Sequence, residues 1–186
     1  MVGITALWLP ILLSAVAVFL VSAVIHMVIG YHNRDFAKIP GEDGVREAMR
    51  KEGVKPGDYA FPHASCPGDL KAPEMLEKFK QGPVGFVTII PSGPPAMGKS
   101  LVLWFLYSLF VGFMTAYVAG RVFGPGADYL QVFRIAGTAA FLAYAGSQPI
   151  ASIWMGRNWS TTGKNMVDGL IYALVTAGMF GWLWPD

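Results

Sequence analysis

Residues 5–29 read TALWLPILLSAVAVFLVSAVIHMVI, 25 positions with no lysine, arginine, aspartate or glutamate. A helix rising 1.5 Å per residue needs about 20 apolar residues to cross roughly 30 Å of hydrocarbon. This stretch is long enough. A secretory signal would want positive charge before the apolar core and a core of only about 7–15 residues. Residues 1–4 carry no such charge, and the run is longer. It therefore reads as a retained span.

Working outward, three further apolar segments follow the same logic. Leu101 to Val122 is uncharged until Arg121; Tyr129 to Met155 carries Arg134 near its start and Gln148-Pro149 near its end; Met166 to Trp184 has Asp168 in its first turn. Trp8, Trp104, Tyr129, Trp154, Trp182 and Trp184 fall at segment ends, where an amphipathic ring sits half wet at headgroup level. The reading is an all-α integral membrane protein of about four transmembrane helices, over 5–30, 100–123, 129–155 and 165–184. A small mixed α/β cytoplasmic insertion, 31–99, lies between the first and second.

Charge is segregated accordingly. The chain is 54% hydrophobic and 14% charged, against about 25% charged in a soluble domain. All but seven of its charged residues lie between Arg34 and Lys99. With the insertion inside, Arg157 and Lys164 join its ten basic residues, and only Arg121 and Arg134 remain outside. That is a positive-inside bias and predicts both termini outside, in a bacterial inner membrane. The net charge of +2 is too small for nucleic-acid binding. One cysteine, Cys66, excludes an intramolecular disulfide.

Small residues recur every four positions on three of the segments: Ser108, Gly112, Ala116, Gly120; Ala139, Ala143, Ser147, Ala151; and Gly169, Ala173, Ala177, Gly181. Such stripes let helix backbones approach within lipid, where no hydrophobic force drives association. Pro149 removes one helical bond and predicts a kink. In the insertion, Glu42–Glu52 and Pro73–Gln81 read as short helices ended by Gly53 and Gly82. Asp58–Phe61 and Val84–Ile90 read as extended segments able to pair.

Several motifs lose to plainer readings. Gly93-Pro-Pro-Ala-Met-Gly-Lys-Ser100 matches the phosphate-loop pattern GxxxxGK[ST]. That loop works by aiming backbone N–H groups at phosphate, and Pro94 and Pro95 have none, so no nucleotide is expected. The plainer reading is a proline turn in which Ser100 caps the second span. His63 and Cys66 are two metal-compatible ligands where a zinc site wants three or four; His32 is a further candidate. His26 stands near the inner end of the first span, and intramembrane ionisable groups are functional candidates by default. Asp168 lies at similar depth and is a partner for His26 or Lys164, although Asn165 with Asp168 also resembles a helix cap followed by a first-turn acid. Arg134 is placed to snorkel. A single chain without a second histidine at matching depth in the other spans excludes a bis-histidine haem, and neither a cofactor nor a metal is assigned.

The stretch Gln81-Gly-Pro-Val-Gly-Phe-Val-Thr, the Met97-Gly-Lys-Ser start of the second span, and the ending Tyr172-Ala-Leu-Val-Thr-Ala-Gly with Gly181-Trp-Leu-Trp-Pro resemble bacterial four-span inner-membrane proteins of unassigned activity. The resemblance implies a bacterial membrane location and transfers no functional residue. The expected function is a non-enzymatic accessory or structural subunit of a larger membrane assembly, with the lipid bilayer and a membrane-protein partner or a second copy as its contacts. The alternative is a small homo-oligomeric transporter or channel, with His26, Asp168 and Gln148 lining its route.

Overall fold

The apolar run that opens the chain becomes one continuous helical rod, Ile4–Ile29, in a computed structural model that describes all 186 residues. A 3₁₀ turn (Ile4–Leu7) leads into helix α1 (Trp8–Ala23), which widens into a π-helical segment (Val24–Ile29). There follow α2 (Glu42–Lys51), β1 (Gly57–Phe61), α3 (Pro73–Gln81), β2 (Gly85–Ile89), α4 (Met97–Val122), α5 (Tyr129–Tyr144), α6 (Gln148–Met155) and α7 (Trp159–Trp182). The protein is mostly helical with a two-stranded sheet. Two helices, Ile4–Ile29 and Met97–Val122, are long and apolar enough to cross a membrane.

The chain divides into two units, one made of Met1–Asp35, Ala96–Ile153 and Arg157–Asp186, the other of Phe36–Pro95 with Trp154–Gly156. In the first, α1 packs on α4 and α7, and α5 packs on α4 and α7, closing a ring of four helices. Leu7, Ala116, Ala119, Val132, Ala136, Phe180 and Trp184 fill one end of its interior. Val18, Ile25, Val111, Ala140, Tyr144, Tyr172 and Ala173 fill the other.

Two of the three small-residue stripes make the close approaches. On α4, Ser108, Gly112, Ala116 and Gly120 are all buried; a Cβ on Gly112 would lie 3.2 Å from the carbonyl oxygen of Ile11, and one on Gly120 would lie 2.6 Å from that of Val2. On α7, Gly169 backs onto Tyr144 and Ala145, Ala177 meets Gly137, and Gly181 receives the Tyr129 ring. The stripe on the third segment is different. Ala139 and Ala143 are only partly buried and Ser147 is exposed, whereas Val132, Ala136, Ala140 and Tyr144 form the buried face. The inward face of α5 is thus offset by one position from the expected stripe, because α5 meets α7 through Tyr129, Gly137 and Tyr144–Ala145.

Near Pro149 the third segment breaks into α5 and α6 rather than bending smoothly. Proline offers no N–H to the Ala145 carbonyl, which instead takes the N–H of Gln148 at 3.1 Å. Helix α7 starts earlier than the apolar pattern suggests. Asn158 caps it, accepting from the Ser160 N–H at 2.9 Å, so Asn165 and Asp168 are helix-interior residues and not a cap with a first-turn acid. Likewise α4 begins at Met97 with no side-chain cap, and Ser100 lies inside it.

In the second unit β1 and β2 pair antiparallel, with Gly57 opposite Ile89 and Phe61 opposite Gly85. Thr88 donates to Asp58 across the pair at 2.7 Å. Helices α2 and α3 occupy the positions expected from their apolar spacing, and Gly53 and Gly82, with φ of 65° and 59°, end them.

The packing yields a paired prediction. Gly169→Ala puts a methyl 2.8 Å from the Ala145 Cβ and 2.9 Å from backbone, and should lower stability by about 1–3 kcal/mol. Gly163→Ala, on the same helix with nothing within 4 Å, should not lower it. Thermal unfolding of both variants under identical conditions distinguishes packing from helix propensity.

Candidate functional site

The end of the first helix is shaped by its last turn and its glycine. The π segment closes with the Gly30 N–H donating to the Ile25 carbonyl at 2.9 Å. Gly30 then adopts φ 62°, a left-handed conformation that costs glycine little. A 3₁₀ turn over Tyr31–Arg34 follows, held by Asn33 N–H to Gly30 O at 3.0 Å and Asp35 N–H to His32 O at 2.9 Å. This reversal brings the His32 ring, tilted, to 4.8 Å from that of His26. It also sets His32 and Asp35 three residues apart on one side. Opposite them, α7 presents Lys164 and Asp168 four residues apart, the spacing that shares a helical face.

These groups interlock. His32 Nδ1 lies 2.6 Å from Asp35 Oδ2, and His32 Nε2 lies 2.8 Å from Asp168 Oδ2. The Tyr31 hydroxyl donates to the other oxygen of Asp168. Lys164 Nζ donates to Asp35 Oδ1 at 2.5 Å and to the Tyr31 carbonyl at 2.9 Å. His26 Nε2 stands 3.8 Å from Asp168 Oδ2 and 3.4 Å from the Tyr172 hydroxyl. The carboxylates are withdrawn from solvent, at 5% and 6% side-chain exposure for Asp35 and Asp168, while half of the His26 side chain remains exposed. Hydrogen bonds from Lys164, then from His32, hold the Asp35 carboxyl below its ordinary range.

Beyond the charges lies an aromatic layer. Trp104, Tyr144 and Tyr172 pack with centroids 5.6–6.0 Å apart, and the Trp104 indole donates to Ser22 at 2.9 Å. Two cavities flank this layer. One, about 300 Å³, is lined by His26, Ser22, Trp104 and Tyr172; the other, about 290 Å³, by Tyr144, Gln148, Asn165 and Tyr172.

The sequence candidates distribute as follows. His26 and Asp168 meet in the cluster. Gln148 lies outside it; its amide donates to the Tyr144 carbonyl and accepts from Asn165, both at 3.3 Å. Arg134 is exposed on α5 beside a groove that includes Phe133, Leu170 and Leu174. His63 and Cys66 line a cavity of about 410 Å³ in the second unit. There the Cys66 thiol donates to Asp69 at 3.3 Å, and Asp69 also accepts the Ser65 and Cys66 backbone N–H groups. The thiol contact, with those backbone bonds, keeps the Asp69 carboxyl below its ordinary range. His32 belongs to the first unit with His26, not with His63. The network of His32, Asp35 and Lys164 is not among the sequence expectations; its signal is ionisable residues three and four apart at the borders of two apolar segments.

No family model matches the chain, and neither a curated protein nor a solved structure matches it.

The hydrogen bond from Tyr31 has a charged acceptor, and such bonds contribute about 1.5–3 kcal/mol. Tyr31→Phe should therefore destabilise the protein by about that amount. Tyr107→Phe removes a bond to a neutral carbonyl, that of Ala143, and should cost about 0.5–1.5 kcal/mol. Thermal unfolding of the two variants side by side tests whether the network is a principal tie.

Proposed function

We propose that the protein is a non-enzymatic subunit of a larger membrane assembly, crossing a bacterial inner membrane four times with both termini outside and residues 31–99 cytoplasmic. The observation that carries the subunit reading is the closed polar network. Asp35, His32, Asp168, Tyr31 and Lys164 satisfy one another across two chain segments, which suits a helix bundle held in one arrangement as a platform for a partner. The four-span membrane reading has separate support. The outward faces of three of the ring's helices are largely apolar, with Leu12, Val16 and Leu20 on α1, Leu106 and Phe110 on α4, and Leu170 and Leu174 on α7 exposed, whereas α5 exposes Leu142 beside Gln131, Arg134 and Thr138. A surface of that kind is costly in water and ordinary in lipid.

The competing reading, a small homo-oligomeric transporter or channel, draws on the cavity lined by Gln148, Asn165, Tyr144 and Tyr172. Native mass spectrometry of protein extracted gently from its own membranes separates the two. Co-isolation with other proteins at fixed stoichiometry is the expected result. A homo-oligomer alone, with flux lost in Asp168→Asn, would overturn the subunit reading.

Topology has its own test. Cys66 is the single cysteine, free and exposed, and serves as a site-specific reporter. A membrane-impermeant maleimide should fail to label it in intact cells and label it after permeabilisation. Labelling in intact cells would place residues 31–99 outside.

A further inference from the structure

The polar network brings two imidazoles and a carboxylate to one point. His32 has both ring nitrogens against carboxylate oxygens, at 2.6 and 2.8 Å. With Nδ1 turned to Asp35, Nε2 is the His32 nitrogen left to serve as a ligand, and it stands beside the Asp168 carboxylate. His26 Nε2 approaches the same carboxylate oxygen at 3.8 Å from the other side. The three ligand atoms, one each from His26, His32 and Asp168, lie within 4.8 Å of one another.

We propose that His26, His32 and Asp168 form a binding site for one divalent first-row transition cation. Ligand atoms at 2.0–2.2 Å from a common ion lie about 3–3.5 Å apart when adjacent. The distances of 2.8 and 3.8 Å to Asp168 Oδ2 bracket that separation. The adjustment falls on His26, whose side chain is half exposed and makes only the long contact to Tyr172. Two imidazoles and one carboxylate are a borderline donor set, which favours zinc, cobalt or iron(II) over the oxygen-seeking magnesium and calcium.

The surroundings match what metal ligands need. A ligating histidine donates its other ring N–H to a carboxylate or carbonyl, which fixes tautomer and orientation; Asp35 stands at His32 Nδ1 and is itself held by Lys164. Tyr31 holds the Asp168 oxygen that His32 does not contact. His26 and Tyr172 open onto the cavity of about 300 Å³, leaving room for a water as a further ligand, as in zinc sites with three protein ligands. His26 is delivered by a π-helical turn, a distortion found often at functional sites. The site does not depend on the subunit reading, and either can fail without the other.

The test uses full-length, tag-free protein in nanodiscs, stripped of metal and titrated with Co²⁺. One Co²⁺ per chain should bind with visible ligand-field absorption, displaced by Zn²⁺ and not by Mg²⁺. His26→Gln, which leaves the Asp35–His32–Asp168 bonds in place, should weaken binding by about tenfold or more, and Asp35→Asn by roughly 10–100-fold through the orientation of His32. Thermal unfolding of metal-free His26→Gln should match that of the parent, showing that the loss is not one of folding. His63→Gln should change nothing. Absence of stoichiometric Co²⁺ in the parent protein, undiminished binding in His26→Gln, or loss in His63→Gln would each overturn the site.

Discussion

A carboxylate buried among apolar helices must be paired, and Asp168 is that carboxylate. Withdrawing an ion from water costs several kcal/mol unless hydrogen bonds and opposite charge replace the lost hydration. Tyr31 and His32 supply those contacts to Asp168, while Asp35 and Lys164 balance the far side of the His32 ring. The consequence is geometric. Tyr31 and His32 reach Asp168 because the segment after the first helix turns at Gly30, which couples the local backbone of residues 30–35 to the position of α7.

The same stretch of α7 serves packing as well. Gly169 follows Asp168 directly and gives the backbone of α5 its approach at Tyr144 and Ala145. One turn on, Tyr172 meets His26, Tyr144 and Trp104, and Ala173 joins the buried cluster. A polar face and a small-residue face thus occupy adjacent sides of one helix. Displacing α7 to relieve either would disturb the other, which explains why an ion network and a glycine contact coexist within a few residues.

Much of the organisation was legible beforehand because it depends on local composition. The uncharged run 5–29, the charge-dense stretch 34–99 and the short insertion helices ended by Gly53 and Gly82 each follow from what neighbouring residues can do in water or lipid. The stripes at Gly112–Gly120 and Gly169–Gly181 were readable for the same reason, since a four-residue step fixes one face of any helix. The stripe on α5 was not, because which face turns inward depends on the partner helix. The cap at Asn158 is not legible from hydropathy because α7 opens with polar turns that read as a loop.

By itself the sequence determined the apolar segments, the polar insertion, the elements within that insertion, and the presence of His26 and Asp168 at the margins of two helices. Only the tertiary structure decided that Asp168 faces His32, that Lys164 faces Asp35, and that Cys66 stands against Asp69. The physical reason is that hydropathy and helical period are local properties of the chain. The pairing of His32 with Asp168, 136 residues apart, depends on a π turn, a left-handed glycine and the closing of a four-helix ring, none of which is written in the spacing of the residues it joins.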